Sequence, residues 1–376
     1  MNWLKSTFAS VAGTQEPVYG EGAIHSVAEQ VKETPFTELK KEDMRWAALE
    51  TTNVETQTFY LNSDKGDCCF LQVIYSNIAG LHITCQFNAK VYNRNGPNHW
   101  NSDTIHDYMF DEELYSFGGE NLAVELNEDG TAYTIKSAVN ETSLINVTIT
   151  RLTPAFVVGK NGTTIYGNDI NNPWGTMRHA FWPRCKCEGT IITPEREIDF
   201  DGQAFFVQAL QGMKPHHAAS RWNFANFQSK TFSACLMEFT TPPSYGSTTV
   251  SVGGLARDGE IIYAGTSNTT THLATEKDSV NDWPEPTAIK FEWDGKTKDG
   301  KDVHAEISGP LGKRIDRIDV MAEIPGFVKS FIGSVAGTRP YVYQYVPEPN
   351  LSLKVKIGDE EFEEAGVLFC EASFIS

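Results

Sequence analysis

From Leu81 to Val91, apolar and polar residues alternate for eleven positions without a break. Leu81, Ile83, Cys85, Phe87, Ala89 and Val91 fall on one face, and His82, Thr84, Gln86, Asn88 and Lys90 on the other. An extended strand with one buried side has that period; a helix does not. Shorter runs of the same kind follow at Leu122-Val124-Leu126, Ile145-Val147-Ile149, Phe205-Val207-Ala209, Ile289-Phe291-Trp293, Val303-Ala305-Ile307 and Leu351-Leu353-Val355-Ile357. Between them, Asn127-Glu128-Asp129-Gly130, Asp201-Gly202, Asp258-Gly259 and Asp299-Gly300 are hairpin signals, because glycine accepts the positive φ of such turns. Many short antiparallel strands make sandwiches or barrels, and no long helical stretch argues for a parallel sheet. The expected class is all-β.

A chain of 376 residues is long for one typical domain and comfortable for two. The strand pattern pauses between Gly212 and Phe227, at GMKPHHAASRWNFANF, so the boundary is placed near residue 215. With 40% hydrophobic and 21% charged residues, a packed interior is expected, not disorder. The formal net charge of −18 disfavours nucleic acid and plain electrostatic docking on anionic bilayers, so any membrane contact must come from apolar insertion. Seven cysteines, an odd number without framework spacing, suit a reducing compartment. With no convincing secretory signal, a cytoplasmic location is expected.

The first twelve residues break the strand rule. At about 100° per residue, Met1, Leu4, Phe8 and Val11 share one helical face, with Trp3 to its side and Gly13 as a stop. A second short helical pattern runs through Ile24, Val27, Ala28 and Val31, and the polar chain over 13–46 reads as a tether. Residues 3–14 (WLKSTFASVAGT) align with 327–338 (FVKSFIGSVAGT) at seven of twelve identical positions. Both copies could pack across barrel mouths, or the terminal copy could meet a membrane. Burial of Leu4, Phe8, Val11 and part of Trp3 is opposed by the ordering of a segment too short for a stable helix in water, so contact is expected to be weak and reversible.

Few residues invite chemistry. Cys185 and Cys187 would share a strand face, but no second pair lies nearby to complete a metal site. His216 and His217, read as strand neighbours, would point apart and suit a hydrogen-bonded linker better than a chelate. No H-E-x-x-H, G-x-S-x-G or P-loop pattern occurs. In Asn172–Arg184, Trp174, Phe181 and Trp182 stand beside Arg178, His179 and Arg184. Such aromatics with a few donors suit an apolar ligand with a small polar head, or equally a solid core at a domain interface. The candidate ligand contacts are Trp174, Phe181, Trp182 and Phe205, with Met213, His216, Trp222 and Phe224 from the junction. Candidate membrane contacts are Met1, Trp3, Leu4, Phe8 and Val11. Neither a cofactor nor a metal is expected. The acidic run Asp359–Glu364 reads as a solvated hairpin.

The segments VAGTQEPVYG, TNVETQTFYL, NPWGTMRHAFWPR, QGMKPHHAASRWNFANFQS and LMEFTTPPSY resemble the fungal survival factor family, over nearly the whole chain. The resemblance implies two tandem lipocalin-like (calycin) barrels at 47–215 and 216–376, after a membrane-seeking helix at 1–12 and a tether at 13–46. It also implies ceramide or a related sphingolipid as ligand and non-vesicular transfer from endoplasmic reticulum to Golgi. A link to sphingolipid homeostasis and oxidative-stress survival follows from it. The expected location is cytoplasmic, with peripheral contact to both membranes; a nuclear pool is compatible with it. Asn2 stands where the family often has a bulky apolar residue, so acetylation of this start, which would remove the terminal charge, would use a different enzyme specificity. Two other classes fit the architecture: an enzyme of the tandem-lipocalin hydratase or pericyclase type, and a ligand-free stress-response scaffold.

Overall fold

The computed structural model describes residues 20–78, 80, 82–93, 96–213, 215–323 and 339–375. The candidate membrane contacts Met1, Trp3, Leu4, Phe8 and Val11, and both copies of the internal repeat, lie outside them. The described chain forms two compact units, one from Gly22–His25 and Phe36–Pro215, the other from Ser26–Pro35 and His216 onward.

In the first unit, sixteen described strands form one antiparallel sheet. They are β1 (Ile24–His25), β2 (Phe36–Leu39), β3 (Asn53–Ser63), β4 (Cys68–Ile78), β5 (His82–Tyr92), β6 (His99–Thr104), β7 (Met109–Phe110) and β8 (Phe117–Gly119). The second half comprises β9 (Leu122–Leu126), β10 (Ala132–Asn140), β11 (Ser143–Arg151), β12 (Ala155–Val158), β13 (Thr163–Tyr166), β14 (Gly175–Ile192), β15 (Glu197–Asp199) and β16 (Gly202–Gln211). The main order is β6-β5-β4-β3-β16-β14-β11-β10-β9-β8-β7. The sheet curls on itself: the β6 edge is tied to the β10–β11 hairpin by Asn140 Nδ2 donating to Asp103 Oδ1 (3.1 Å) and Ser143 Oγ donating to Asn101 Oδ1 (2.8 Å). One core fills the curl, and each long strand contributes every second residue to it, as Leu122, Val124 and Leu126 do from β9.

β14 would turn its side chains the wrong way halfway along if it were regular. The register shifts between Trp182 and Cys185, at Pro183, which has no N–H to give a ladder. The bulge lets Ala180 and Trp182 before it and Cys185 and Cys187 after it all join the same core.

The second unit packs a seven-stranded sheet against a five-stranded one. The larger has the order β20-β19-β18-β17-β28-β25-β24, from β17 (Arg221–Gln228), β18 (Phe232–Thr240), β19 (Thr249–Arg257), β20 (Glu260–Gly265), β24 (Asp316–Asp319), β25 (Tyr341–Tyr345) and β28 (Val367–Phe374). The smaller runs β21-β22-β23-β26-β27, from β21 (Asn268–Lys277), β22 (Pro284–Lys296), β23 (Asp302–Pro310), β26 (Ser352–Ile357) and β27 (Glu360–Ala365). Ile289, Phe291 and Trp293 of one sheet meet Leu236, Leu255 and Leu368 of the other. Trp293 Nε1 reaches across to donate to Cys235 O (2.9 Å). Gly253 makes room: a Cβ there would sit 2.5 Å from that carbonyl and 3.2 Å from the indole nitrogen.

Several expectations need correction. Ile24 is not helical but pairs with Tyr166, and the helix shrinks to Ala28–Val31. Chain expected to be a tether instead adds β2 to β12, with Leu39, Met44 and Trp46 in the core. His216 and His217 lie in a short helix, Pro215–Ala218, so the strand argument about them does not apply. On β16 the core-facing residues are Ala204 and Phe206, not Phe205 and Val207; Ala204-Phe205-Phe206-Val207 is apolar on both faces, and period two cannot choose between them. Ile83 stands beyond the core, 41% exposed, while Cys85, Phe87, Ala89 and Val91 fill it.

Candidate functional site

The interior of the first unit changes chemistry row by row. β4, β3, β16 and β14 are neighbours, and their register aligns core-facing residues across the strands. The first row holds Tyr75, Glu55, Leu210 and Arg178; the second Val73, Gln57, Gln208 and Ala180. The third holds Leu71, Phe59, Phe206 and Trp182; the fourth Cys69, Leu61, Ala204 and Cys185. The sequence thus runs from a charged pair through two amides to aromatics and then to small apolar groups.

The charged row is fastened by a strap that crosses this end. Glu55 accepts from the backbone N–H of Ala47 (Oε1, 2.9 Å) and Ala48 (Oε2, 2.9 Å) and from Gln208 Nε2 (Oε1, 3.0 Å). Ala48 takes a left-handed φ of 42°, and the carboxylate bond to its N–H helps hold that turn. Leu49 O accepts from Asn53 Nδ2 (2.8 Å) and Asn77 Nδ2 (3.0 Å). Trp46 enters the core, its ring 5.5 Å from Phe110 and 6.1 Å from Phe117. Burial raises the Glu55 carboxyl above its ordinary value; the two backbone donors, Gln208 and the charge of Arg178 only partly offset that.

Below it lies an aromatic group. Tyr133 from β10 is within 5.1 Å of both Trp182 and Phe206, and Phe59 is 4.7 Å from Phe206. Gln57 Nε2 donates to Tyr133 Oη (3.1 Å), and Gln208 Nε2 donates to Arg45 O (3.1 Å) as well as to Glu55. Each amide nitrogen is therefore engaged, that of Gln208 through both of its donors. Gln57 Oε1, Gln208 Oε1, Trp46 Nε1 and Trp182 Nε1 are buried without a hydrogen-bond partner. Gln57 bonds Tyr133, whose ring lies on Trp182, and Gln208 bonds the carbonyl of Arg45 next to Trp46, so the four unpaired atoms belong to one connected stretch of the interior. Buried polar atoms are nearly always paired, and such a group marks a place that a ligand can complete.

The second unit has a comparable cluster with its bonding satisfied. Tyr343 Oη donates to Asp278 Oδ2 (3.0 Å) and Asn281 Oδ1 (2.9 Å), Arg317 grips Asp278 through Nη1 (2.9 and 3.0 Å), and Tyr345 Oη donates to Glu285 Oε1 (2.9 Å). Burial alone would raise the Asp278 carboxyl, but the Val280 N–H, Arg317 and Tyr343 together hold it below the usual range. That cluster is structural. On the same unit's surface, Glu292, His304 and Glu306 bring ligand atoms within 4.8 Å of one another. His304 is paired with Asp294 (2.7 Å) and Glu292 with Lys290 (2.9 Å), which makes them a solvated charged face.

Of the expected ligand contacts, Trp182 alone belongs to the graded interior. Phe181 and Phe205 lie 6.1 Å apart on the other face of β14 and β16, where Phe181 also meets Phe156 at 5.3 Å. Trp174 packs edge-on to Tyr166 (5.6 Å), and Met213 lies against Gly175, where a Cβ would come 2.8 Å from its Cε. In the second unit, Trp222 is 5.1 Å from Phe239 and Phe224 6.3 Å from Phe369, on the face of β17 opposite Ala225 and Phe227. His216 sits in the short helix at the unit boundary. Glu55, Gln57, Tyr133 and Gln208 were not anticipated. The signal was present in β3, where Glu55 and Gln57 occupy the positions that period two assigns to the face of Phe59 and Leu61.

Two successive units of curled antiparallel sheet, each around its own core, define a tandem lipocalin-like protein. Solved structures share that fold: CghA with Sch210972 at a TM-score of 0.63 and 10% identity, covering 94% of this chain and 98% of that one. Kievitone hydratase from Nectria haematococca matches at 0.55 and 12%, covering 96% and 99%. At such identities the likeness is one of fold alone. The chain belongs to the Svf1 family, whose sequence profile matches residues 1–376. It is 61% identical to ceramide-binding protein svf1 of Aspergillus fumigatus over the full length of both chains. It is 42% identical to ceramide-binding protein svf1 of Schizosaccharomyces pombe, over 100% of this chain and 99% of that one.

Proposed function

We propose that this protein binds ceramide and carries it between membranes, with the first unit as the lipid-holding one. The observation that carries the reading is full-length likeness to proteins named for binding ceramide. The graded interior supports it physically: a polar row with spare hydrogen-bonding capacity stands over aromatic and aliphatic rows, as a lipid with a small uncharged head and long chains requires. Among the described residues no helix is long and apolar enough to cross a membrane.

The route is from endoplasmic reticulum to Golgi, by a cytoplasmic protein that touches both peripherally and so supports sphingolipid homeostasis and survival of oxidative stress. Met1, Trp3, Leu4, Phe8 and Val11 form the inserting face. The protein is a carrier and not an enzyme: His179, the histidine nearest the aromatic segment, is buried and pushed down to about 4 by that burial and by Arg178, which suits packing better than proton transfer at neutral pH.

The test is extraction. Full-length protein is mixed with vesicles containing labelled ceramide, separated by flotation, and its lipid identified by mass spectrometry. Unmodified ceramide in the protein fraction, and weaker vesicle recruitment of Phe8→Glu, are expected. Vesicles that keep all their ceramide, together with unchanged recruitment of the variant, would end the reading.

A further inference from the structure

We propose that Gln57, Gln208, Trp46 and Trp182 form a head-group site selective for an uncharged lipid head that both donates and accepts hydrogen bonds, and that it rejects the phosphorylated form of the same lipid. The inference rests on the carrier reading and deepens it.

The bonding left over at this place is specific. The amide nitrogens are engaged by Tyr133, Arg45 and Glu55, and the atoms the glutamines leave without a partner are their acceptor oxygens. An indole N–H can only donate. A ligand that satisfies all four atoms must therefore bring donors for two carbonyls and acceptors for two indoles. An N-acyl sphingoid base does so, with its amide N–H and hydroxyls as donors and its acyl carbonyl and hydroxyl oxygens as acceptors. A sterol ester or triacylglycerol has acceptors only and would leave both glutamine oxygens bare, which buried groups tolerate poorly.

Charge sharpens the choice. Replacing the terminal hydroxyl by phosphate removes a donor and brings an anion toward Gln57 Oε1, Gln208 Oε1 and the neighbouring Glu55 carboxylate. Cations near this place are otherwise occupied: the Arg45 guanidinium lies over the Tyr115 ring at 5.0 Å. Arg178 donates to Asn161 O (Nε, 3.3 Å) and Asp43 O (Nη2, 3.4 Å). Arg151 pairs with Cys185, two rows from the glutamines, with its guanidinium 5.4 Å from the Trp182 ring centre.

The experiment uses the full-length protein and phosphatidylcholine vesicles holding labelled N-acyl sphingosine, its 1-phosphate, or a triacylglycerol. Extraction of N-acyl sphingosine should exceed that of the other two by about tenfold or more. Gln57→Leu combined with Gln208→Leu should lower it by about tenfold. Trp46→Phe and Trp182→Phe, which keep a ring but delete the N–H, provide the same reading should the leucines unfold the protein. Folded variants that extract as well as the parent would place the head elsewhere and leave the carrier reading intact. Equal extraction of the 1-phosphate by the parent would overturn the selectivity. A parent that extracts no lipid would overturn this proposal and the carrier reading together.

Discussion

Gln208 donates its amide nitrogen to the Glu55 carboxylate at 3.0 Å, across 153 residues of sequence, and in doing so turns its own oxygen into an unpaired acceptor. One side chain thus both stabilises a buried carboxylate and leaves a buried acceptor unpaired.

Glu55 gives the first unit a pH dependence of definite sign. Its folded-state pKa is raised above the ordinary 4.5, so it favours the fold fully below that value and progressively less as pH rises through the raised one. Chemical denaturation of Glu55→Gln across this range should show that component of the pH slope removed. A slope identical to the parent's would mean that Glu55 titrates as an ordinary surface carboxylate.

Asp278 has the opposite sign. Held below its ordinary value by Val280, Arg317 and Tyr343 against the effect of burial, it contributes stability above the unfolded-state pKa that is lost as pH falls through the lowered one. Asp278→Ala leaves Arg317 without its buried partner, and a loss of about 3 kcal/mol at pH 7 is expected from urea titration. The loss should shrink in acid.

The register of β5 can be checked with two substitutions. Phe87 is in the core and Ile83 is not, so Phe87→Ala should cost about 3–5 kcal/mol and Ile83→Thr less than about 0.5 kcal/mol. Equal costs would show a slipped strand.

All seven cysteines are free and buried, and burial pushes the thiols of Cys85, Cys187 and Cys235 up to about 12. A disulfide reagent at pH 7.5 should label none of the seven within minutes in the native protein and all of them in denaturant. Rapid labelling of one native thiol would reopen a direct redox role.

The sequence made the architecture legible because period two is a strong signal wherever one strand face is polar, as over Leu81–Val91 and Ile289–Trp293. It was ambiguous where both faces are apolar: in β16 the pattern favours Phe205 as readily as Phe206, and burial hides the difference because both are fully enclosed. The site was harder to find for a related reason. Glu55, Gln57 and Gln208 are ordinary polar residues until register brings them to one row, and that register joins strands far apart in sequence. The aromatic segment around Trp182 lies on β14, where the bulge at Pro183 brings Cys185 and Cys187 into the same core as Trp182, and period alone does not place a bulge.

The amide row straddles the seam where β3, the first long strand of its unit, meets β16, its last. A ribosome must therefore deliver nearly the whole unit before Gln57 and Gln208 can become neighbours, and the slow search for that distant pairing is where folding should linger. Greasy cargo would have nowhere to lodge in a half-made chain: competence to load arrives only with closure.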